Sequence, residues 1–550
     1  MSSNHKSSHA QWGSRVGFIL AATGSAVGLG NIWKFPYMTG QSGGSAFVLT
    51  YLLCIAFIGL PILVAEWLIG RRGQKNPIHA MEDVAQQNRR SKAWKLVGVS
   101  GVLGSFLILS FYSVIGGWAV DYIFITASGA FNGMDGQATE SLFTGFLGNP
   151  SQLLTWHSIF MLLTVVIVAM GVSGGLERAS KLMMPALALV LLVLVAYGAF
   201  FTNSFGAAAA YLFSPNWSAI NGTVILAALG HAFFTLSLGM GIMMAYGSYL
   251  GQEVNLIKTA RTVVIVAMGV SGGLERASKL MMPALALVLL ILVAYGAFFT
   301  DSFGAAAAYL FSPNWSAING TVILAALGHA FFTLSLGMGI MMAYGSYLGQ
   351  EVNLIKTART VVILDTVIAL FAGLAIFPLV FAHHLEPSSG PGLIFITLPI
   401  AFGNMTGGTL LGVLFFILLT FAALTSSISL LEPTVELLEE KTPLSRKAAT
   451  AVAGGAIWLL GIACLLSFNS WSDVMIFGNN IFDALDKLTS KLMLPLTGLA
   501  TIIFAGWFMN QESIRQELGL SGAAYTVWKI VSRFIAPIGV IIVFVASLLG

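Results

Sequence analysis

From Leu96 to Val120 the chain carries no charged residue, and from Thr406 to Leu431 it again carries none. An apolar run of about 20 residues is the length at which a helix crosses the hydrocarbon core of a bilayer. Several such runs leave little choice of solvent. Charged residues make up 9% of the 550 positions and apolar ones 57%, whereas a soluble domain carries about 25% charge. That balance excludes a water-soluble enzyme, a secreted module and a disordered scaffold. The apolar residues come in long runs rather than in short alternating segments, which excludes a β-barrel. The expected class is an all-α polytopic membrane protein. Cys54 and Cys464 both lie in apolar runs, without the spacing of a disulfide scaffold or a zinc site. The stretch 1–11 reads as a short polar tail. The run that begins at Val16 is too long for a signal-peptide core and has no small-residue cleavage site, so it is expected to remain as a span.

Residues 164–261 and 262–359 are the same text twice in tandem. They differ only where Val193 becomes Ile291 and Asn203 becomes Asp301. Solenoid units are shorter and more diverged, so the pattern reads as an in-frame internal duplication within a single transmembrane domain, 1–550. Thr-Val-Val-Ile opens each copy and recurs at 360–363, as slippage or unequal recombination would leave it.

Spans are expected at 14–37, 44–70, 96–126, 154–173, 180–201 and 222–250, with 278–299 and 320–348 from the second copy. Further spans follow at 360–383, 406–438, 448–467, 487–509 and 527–549. The total is about 13, or 11 without the extra copy. Arg71, Arg72, Lys75, Arg89, Arg90, Lys92 and Lys95 lie between the second and third spans; Lys441, Arg446 and Lys447 follow the span 406–438. By the positive-inside rule these loops and the N-terminus are cytoplasmic. Lys34, Lys487 and Lys491 are the basic residues of the other face. The duplication adds an even number of crossings, so downstream sidedness is kept.

Two spans are broken by glycine: Thr23-Gly-Ser-Ala-Val-Gly-Leu-Gly-Asn31, and Phe234-Thr-Leu-Ser-Leu-Gly-Met-Gly241 with its repeat at 332–339. Glycine weakens a helix by about 1 kcal/mol each. Unwound backbone at membrane depth survives only around a buried site. Gly-interrupted spans at matching positions of two halves mark the midplane site of an inverted-repeat transporter. The alternative is that these glycines serve close helix packing. Asp365 lies in an apolar run, where a carboxylate is costly and functional by default. Glu66 is either a buried functional acid or a helix-end acid paired with Arg71 or Arg72. Thr425-Ser-Ser427 offers hydroxyls that either bond their own helix or join carbonyls in an oxygen cage suited to a hard cation. The eight histidines have no metal or haem spacing, no phosphate-binding loop is present, and no basic domain supports nucleic-acid binding.

Trp12-Gly-Ser-Arg-Val-Gly-Phe-Ile-Leu-Ala, Gly24 to Tyr37, Gly43-Gly-Ser-Ala-Phe47, Glu66-Trp67, Phe331-Phe-Thr-Leu-Ser-Leu-Gly337, Leu424-Thr-Ser-Ser-Ile428 and Leu444-Ser-Arg-Lys447 stand in this order. Together they closely resemble the neurotransmitter:sodium symporter family, over essentially the whole chain less one copy. The resemblance implies the leucine-transporter fold of two inverted five-helix repeats in its short bacterial branch, plus two extra helices from the duplication. It implies sodium-coupled symport of an amino acid by alternating access, in the bacterial cytoplasmic membrane with the N-terminus inside, and no enzyme activity. Sodium 1 would be held by Ala26, Asn31, Thr333 (or Thr235) and Asp365. Sodium 2 would be held by Gly24, Val27, Ala422, Thr425 and Ser426. The substrate would contact Ser25, Ala26, Leu29, Gly30, Tyr112, Phe332, Thr333 and Ser335, with its side chain toward Ile108, Met338, Ser426 and Leu430. The first-copy equivalents are Phe234, Thr235, Ser237 and Met240. An outer gate would pair Lys34 with Asp483, and an inner one Glu440 with His9 or Lys6.

The chain departs from the family pattern in several places. Lys34 replaces an arginine and gives up bidentate geometry. Ser42-Gly-Gly-Ser45 replaces Asn-Gly-Gly-Gly, and His9 stands where the inner-gate arginine is expected. A hydrophobic L-amino acid is the expected substrate, since no charged side chain near the pocket would pair a charged one. Chloride is not expected to be required, because Asp365 supplies a fixed negative charge at a cation-ligand position. Two rivals stand beside this reading: a proton-coupled permease of the same fold with Asp365 as relay, and a duplicated variant that binds ligand without transporting it. Only the second copy runs directly into the helix of Asp365, since Ala267 takes that position after the first. The second copy is therefore expected to form the site, with the first copy's helices at the lipid-facing periphery.

Overall fold

The computed structural model describes residues 45–171, 392–404 and 408–549. It also describes 238–241, 336–339, 354–355, 357–363 and 365–367, and single residues at 25, 29, 30, 35, 326, 330, 334 and 341. Helix α1, Ser45–Cys54, passes through a π turn, Ile55–Gly59, into α2, Leu60–Gly73. Pro61 sits at the start of α2, where its missing N–H costs nothing, and Gln74 ends the helix in the left-handed region at φ 46°. Short α3, Pro77–Gln87, is capped by Asn76, whose side chain accepts from the Ile78 and His79 N–H groups. Helix α4, Lys95–Ala127, then crosses the whole layer. Next come α5, Gly136–Leu147, and α6, Pro150–Ala169.

After the repeated region a π turn, Leu393–Thr397, leads into α7, Leu398–Gly403. The long α8, Gly408–Lys441, is followed by α9, Arg446–Leu466, and α10, Ile481–Lys487. A π turn joins α10 to α11, Leu494–Ile503. Then come α12, Gln511–Leu518, α13, Gly522–Ile530, and α14, Ala536–Leu549. Seven helical stretches among the described residues are long and apolar enough to cross a membrane: 50–73, 92–127, 150–169, 408–441, 446–466, 481–508 and 522–542. They match the expected spans at 44–70, 96–126, 154–173, 406–438, 448–467, 487–509 and 527–549 to within a few residues at most ends. The expected spans 180–201, 222–250 and 278–299 lie outside the described residues apart from 238–241. Those at 14–37, 320–348 and 360–383 are described only at scattered positions.

Helices α3, α5, α7 and α12 lie outside the expected spans. Helices α3 and α12 are short and half polar, and α7 falls in the gap left before the span at 406. Helices α3, α5 and α12 each bury only a narrow stripe, which a 20-residue window averages away, and α7 is buried but too short to span.

Helix α4 packs against α8 on one side and against α6 and α9 on another. The close approach rests on absent side chains. A Cβ at Gly117 would stand 2.7 Å from the His157 backbone nitrogen, and one at Gly461 would stand 2.5 Å from the His157 ring. The fully buried His157 imidazole fills that gap between α4, α6 and α9, its Nε2 3.2 Å from the Trp458 carbonyl. One residue after Gly117, Trp118 meets Phe143, Phe395 and Phe468 edge-on, with centroids 5.4–5.7 Å apart.

The one ladder among the described residues joins the two copies. Strand β1, Leu238–Gly241, runs parallel to β2, Gly337–Gly339, with Leu238 opposite Gly337. The glycine-rich text is therefore extended rather than helical in both copies, as its composition implied. Both strands lie against α4 and α11. The first copy's helices, expected at the lipid-facing periphery, lie outside the described residues, but these four residues of that copy lie inside, beside the second. The physical reason is that unwound backbone needs hydrogen-bond partners away from lipid, and the matching segment of the other copy supplies them.

Candidate substrate and cation site

Helix α8 places three hydroxyls in succession, and the 100° step of a helix sends them different ways. The Thr425 hydroxyl donates to the Ala422 carbonyl at 2.9 Å, and the Ser426 hydroxyl donates to the Ser25 carbonyl at 3.3 Å. Ser427 turns aside and hydrogen-bonds Thr164 of α6 at 2.8 Å. Of the Thr425-Ser-Ser427 run, then, Thr425 bonds its own helix, Ser426 reaches the first span at Ser25, and Ser427 fastens α8 to α6. The Ala422 carbonyl with the Thr425 and Ser426 hydroxyls makes a compact set of oxygen donors beside the Ser25 backbone. Oxygens of this kind suit a hard monovalent cation rather than a soft metal. Among the described residues no group of three His, Cys, Asp or Glu side chains forms a metal site.

Across this space stands Tyr112 of α4, fully buried, its phenolic oxygen 3.5 Å from the Leu29 N–H. Ile108 lies one turn earlier on the same face, and Leu430 one turn after Ser426; both are buried. Ser25, Leu29, Gly30, Ile108, Tyr112, Ser426 and Leu430 are thus all buried, and hydrogen bonds join the first span to α4 and to α8. A phenol, a main-chain amide and a pair of hydroxyls can orient a carboxylate, and the apolar Ile108 and Leu430 on either side suit an uncharged side chain.

Asp365 is fully buried, and its Oδ2 accepts a hydrogen bond from the Tyr51 hydroxyl at 2.8 Å. Tyr51 lies in none of the motifs. Its signal is a phenol inside an apolar run, one turn after Phe47. Such a hydroxyl needs a partner when buried, and a helix cannot supply one from its own backbone N–H groups. The Tyr51 ring is held by Phe35 and Phe47, with centroids 5.5 and 6.4 Å away.

The remaining candidates divide by place. Gly24, Ala26, Val27, Asn31, Lys34, His9, Phe332, Thr333 and Ser335 lie outside the described residues, as do Phe234, Thr235 and Ser237. Met240 and Met338 are described by their backbone alone, in β1 and β2. Asp483 sits in the first turn of α10, where its N–H bonds the Asn480 side chain at 2.7 Å. Its neighbour Phe482 contacts Phe111, the residue before Tyr112, at 5.5 Å. At the opposite end of α8, Glu440 accepts from the Asn76 N–H at 2.8 Å and from the Asn76 side chain, and lies 3.1 Å from the His79 ring. The inner acid is thus engaged by the start of α3, which sequence spacing did not suggest.

Glu66 corrects one reading. It is buried in the middle of α2, not at a helix end. Arg71 and Arg72 form ion pairs with Glu517 of α12, the second at 3.6 Å. The helix runs on to Gly73, so its last turn presents both arginines to α12 and leaves Glu66 more than a turn deeper.

The profile of the sodium:neurotransmitter symporter family matches residues 9–132, 147–265 and 258–550. The chain belongs to that family, whose members are multi-pass membrane transporters and not enzymes, and it takes its place among sodium-dependent transporters. It is similar to an uncharacterized sodium-dependent transporter, YhdH, of Bacillus subtilis, at 33% identity over 98% of both chains. An uncharacterized sodium-dependent transporter of Haemophilus influenzae is 29% identical over the full length of both. Among solved structures, that of MhsT in complex with L-phenylalanine superposes with a TM-score of 0.73 at 38% identity, over 98% of this chain and 99% of that one. The fold is that of the leucine-transporter type, all-α and polytopic.

Proposed function

We propose that this protein is a sodium-coupled symporter of hydrophobic L-amino acids in a bacterial cytoplasmic membrane, with the N-terminus inside. The observation that carries the reading is the pair of buried hydrogen bonds that join Leu29 to Tyr112 and Ser25 to Ser426, in a chain 38% identical to a transporter solved with L-phenylalanine. Two sodium ions are cargo here. The first is assigned to Ala26, Asn31, Asp365 and Thr333 or Thr235, and the second to Gly24, Val27, Ala422, Thr425 and Ser426. The substrate carboxylate lies toward Leu29, Gly30 and Tyr112. Its side chain lies toward Ile108, Met338, Ser426 and Leu430, where no described side chain carries a charge. Asp365 makes chloride unnecessary, because its fixed charge offsets sodium where a relative would need an anion. Lys34 with Asp483 closes the outer side; Glu440 takes part in closing the inner side.

The test is uptake of labelled amino acids into proteoliposomes under an inward sodium gradient, in chloride and in gluconate. Phenylalanine, leucine and tryptophan should accumulate, and replacement of chloride should leave the rate unchanged. Uptake driven by a pH gradient without sodium would replace this reading with a proton-coupled permease that uses Asp365. Ligand-dependent thermal stabilisation without flux would instead identify a binding-competent chain whose duplication stops transport.

A further inference from the structure

Three segments that meet at the cytoplasmic ends of α4, α11 and α14 contain no acidic residue, and the first and last of them carry six basic ones. They are 89–96, 504–510 and 525–535, and they hold Arg89, Arg90, Lys92, Lys95, Lys529 and Arg533. None of these six forms an ion pair among the described residues, although Lys75, Arg71 and Arg72 close by all do. Aromatic contacts hold the segments together. Trp94 packs on Phe504 and Phe508 at 4.9 and 5.2 Å. Arg90 lies over the Phe508 ring at 5.3 Å and donates to the Phe508 carbonyl at 3.3 Å. Arg533 lies over the Trp507 ring at 5.3 Å and donates to the Gly506 carbonyl at 2.7 Å, while the Trp507 indole donates to the Arg533 carbonyl at 3.1 Å. The two arginine heads are thus held in place rather than free to drift into the cytoplasm. Helix α12 adds Glu512 and Arg515 nearby, of opposite sign, while its Glu517 is paired with Arg71 and Arg72.

The same helices carry exposed apolar residues away from this patch. Leu96, Val99 and Leu103 line one face of α4, and Ile535, Ile538 and Ile542 line one face of the last helix. Between them Leu492 and Leu496 are exposed on the path into α11. Arginine and tryptophan at headgroup depth, below an apolar face, match a lipid's charged head and its acyl chains together. A soluble anion would use the charges but not the apolar faces.

We infer that the cytoplasmic ends of α4, α11 and α14 form a binding site for an anionic phospholipid, its phosphate held among Arg90, Lys92, Lys95 and Arg533 and its chains lying along α4 and α14. The site is independent of the transported substrate and sodium.

The experiment is native mass spectrometry of the full chain in detergent, titrated with phosphatidylglycerol or with phosphatidylcholine of the same acyl chains. The intact protein should retain phosphatidylglycerol preferentially. Arg90→Gln with Lys92→Gln, and separately Lys95→Gln with Arg533→Gln, should each weaken that retention. The expected loss is about fivefold per removed charge. Arg90→Lys with Arg533→Lys should keep most of it. Lys441→Gln with Lys447→Gln, on the other cytoplasmic basic cluster, should leave it unchanged. Thermal melting of each variant separates lost binding from lost folding, and the two double variants are read independently. Equal retention of the two lipids by the intact protein would overturn the inference. So would an equal loss in the Lys441/Lys447 control, or displacement of the lipid by inorganic phosphate at matched concentration.

Discussion

Removing one hydroxyl, Tyr51→Phe, tests the assignment of Asp365 to sodium. The phenol donates to Asp365 Oδ2 at 2.8 Å inside a fully buried pocket. The ring itself is held by Phe35 and Phe47, and phenylalanine keeps those contacts, so the perturbation is confined to the hydrogen bond. A hydrogen bond to a charged group is worth about 1.5–3 kcal/mol. If Asp365 coordinates sodium, the loss frees the carboxylate to rotate and weakens its hold on the ion. At the low end of that range the sodium concentration giving half-maximal uptake rises about tenfold. The assay is initial uptake of labelled phenylalanine into proteoliposomes as external sodium is varied, with sodium-induced thermal stabilisation in detergent as a second readout. Saturating sodium should restore most of the rate. A half-saturating sodium concentration within about twofold of the unmodified protein would refute the reasoning, because the orientation of Asp365 would then have no bearing on the cation.

Asp365→Asn removes the fixed charge, and the variant should either bind sodium much more weakly or acquire a chloride requirement, seen by comparing uptake in chloride and gluconate. Thr333→Ala and Thr235→Ala should differ, the first abolishing sodium-coupled uptake and the second leaving most of it. The reverse pattern would move the site to the first copy, and two half-effects would mean that both arrangements are populated. Arg446→Met leaves the buried Glu432 without the cation that now lies 2.5 Å from it, and Glu439 loses a 3.0 Å partner. Breaking a buried pair costs about 3–5 kcal/mol, so a marked fall in melting temperature is expected. Gly461→Val should also destabilise the protein, since its side chain would enter the space filled by the His157 ring. A melting temperature equal to that of the unmodified protein would contradict the packing described for α4, α6 and α9.

The membrane class, the seven described spans and the extended glycine text of the repeat were all legible in the chain, and Asp365, Thr425 and Ser426 stood out in it as candidates. Each is a local property. Apolar length reports a bilayer crossing, a cluster of glycines reports a weak helix, and a carboxylate in hydrocarbon reports a cost that function must justify. Partnerships were not legible, because they join residues far apart in the chain. Tyr51 reaches Asp365 from another helix. Glu440 is engaged by Asn76 and His79 rather than read from its own neighbours, and Arg71 and Arg72 turn to Glu517 instead of Glu66. The identical text of the two copies carried no information on where each would lie. Backbone groups at membrane depth demand partners whatever their place in the chain, and tertiary packing alone brought Leu238–Gly241 beside Gly337–Gly339.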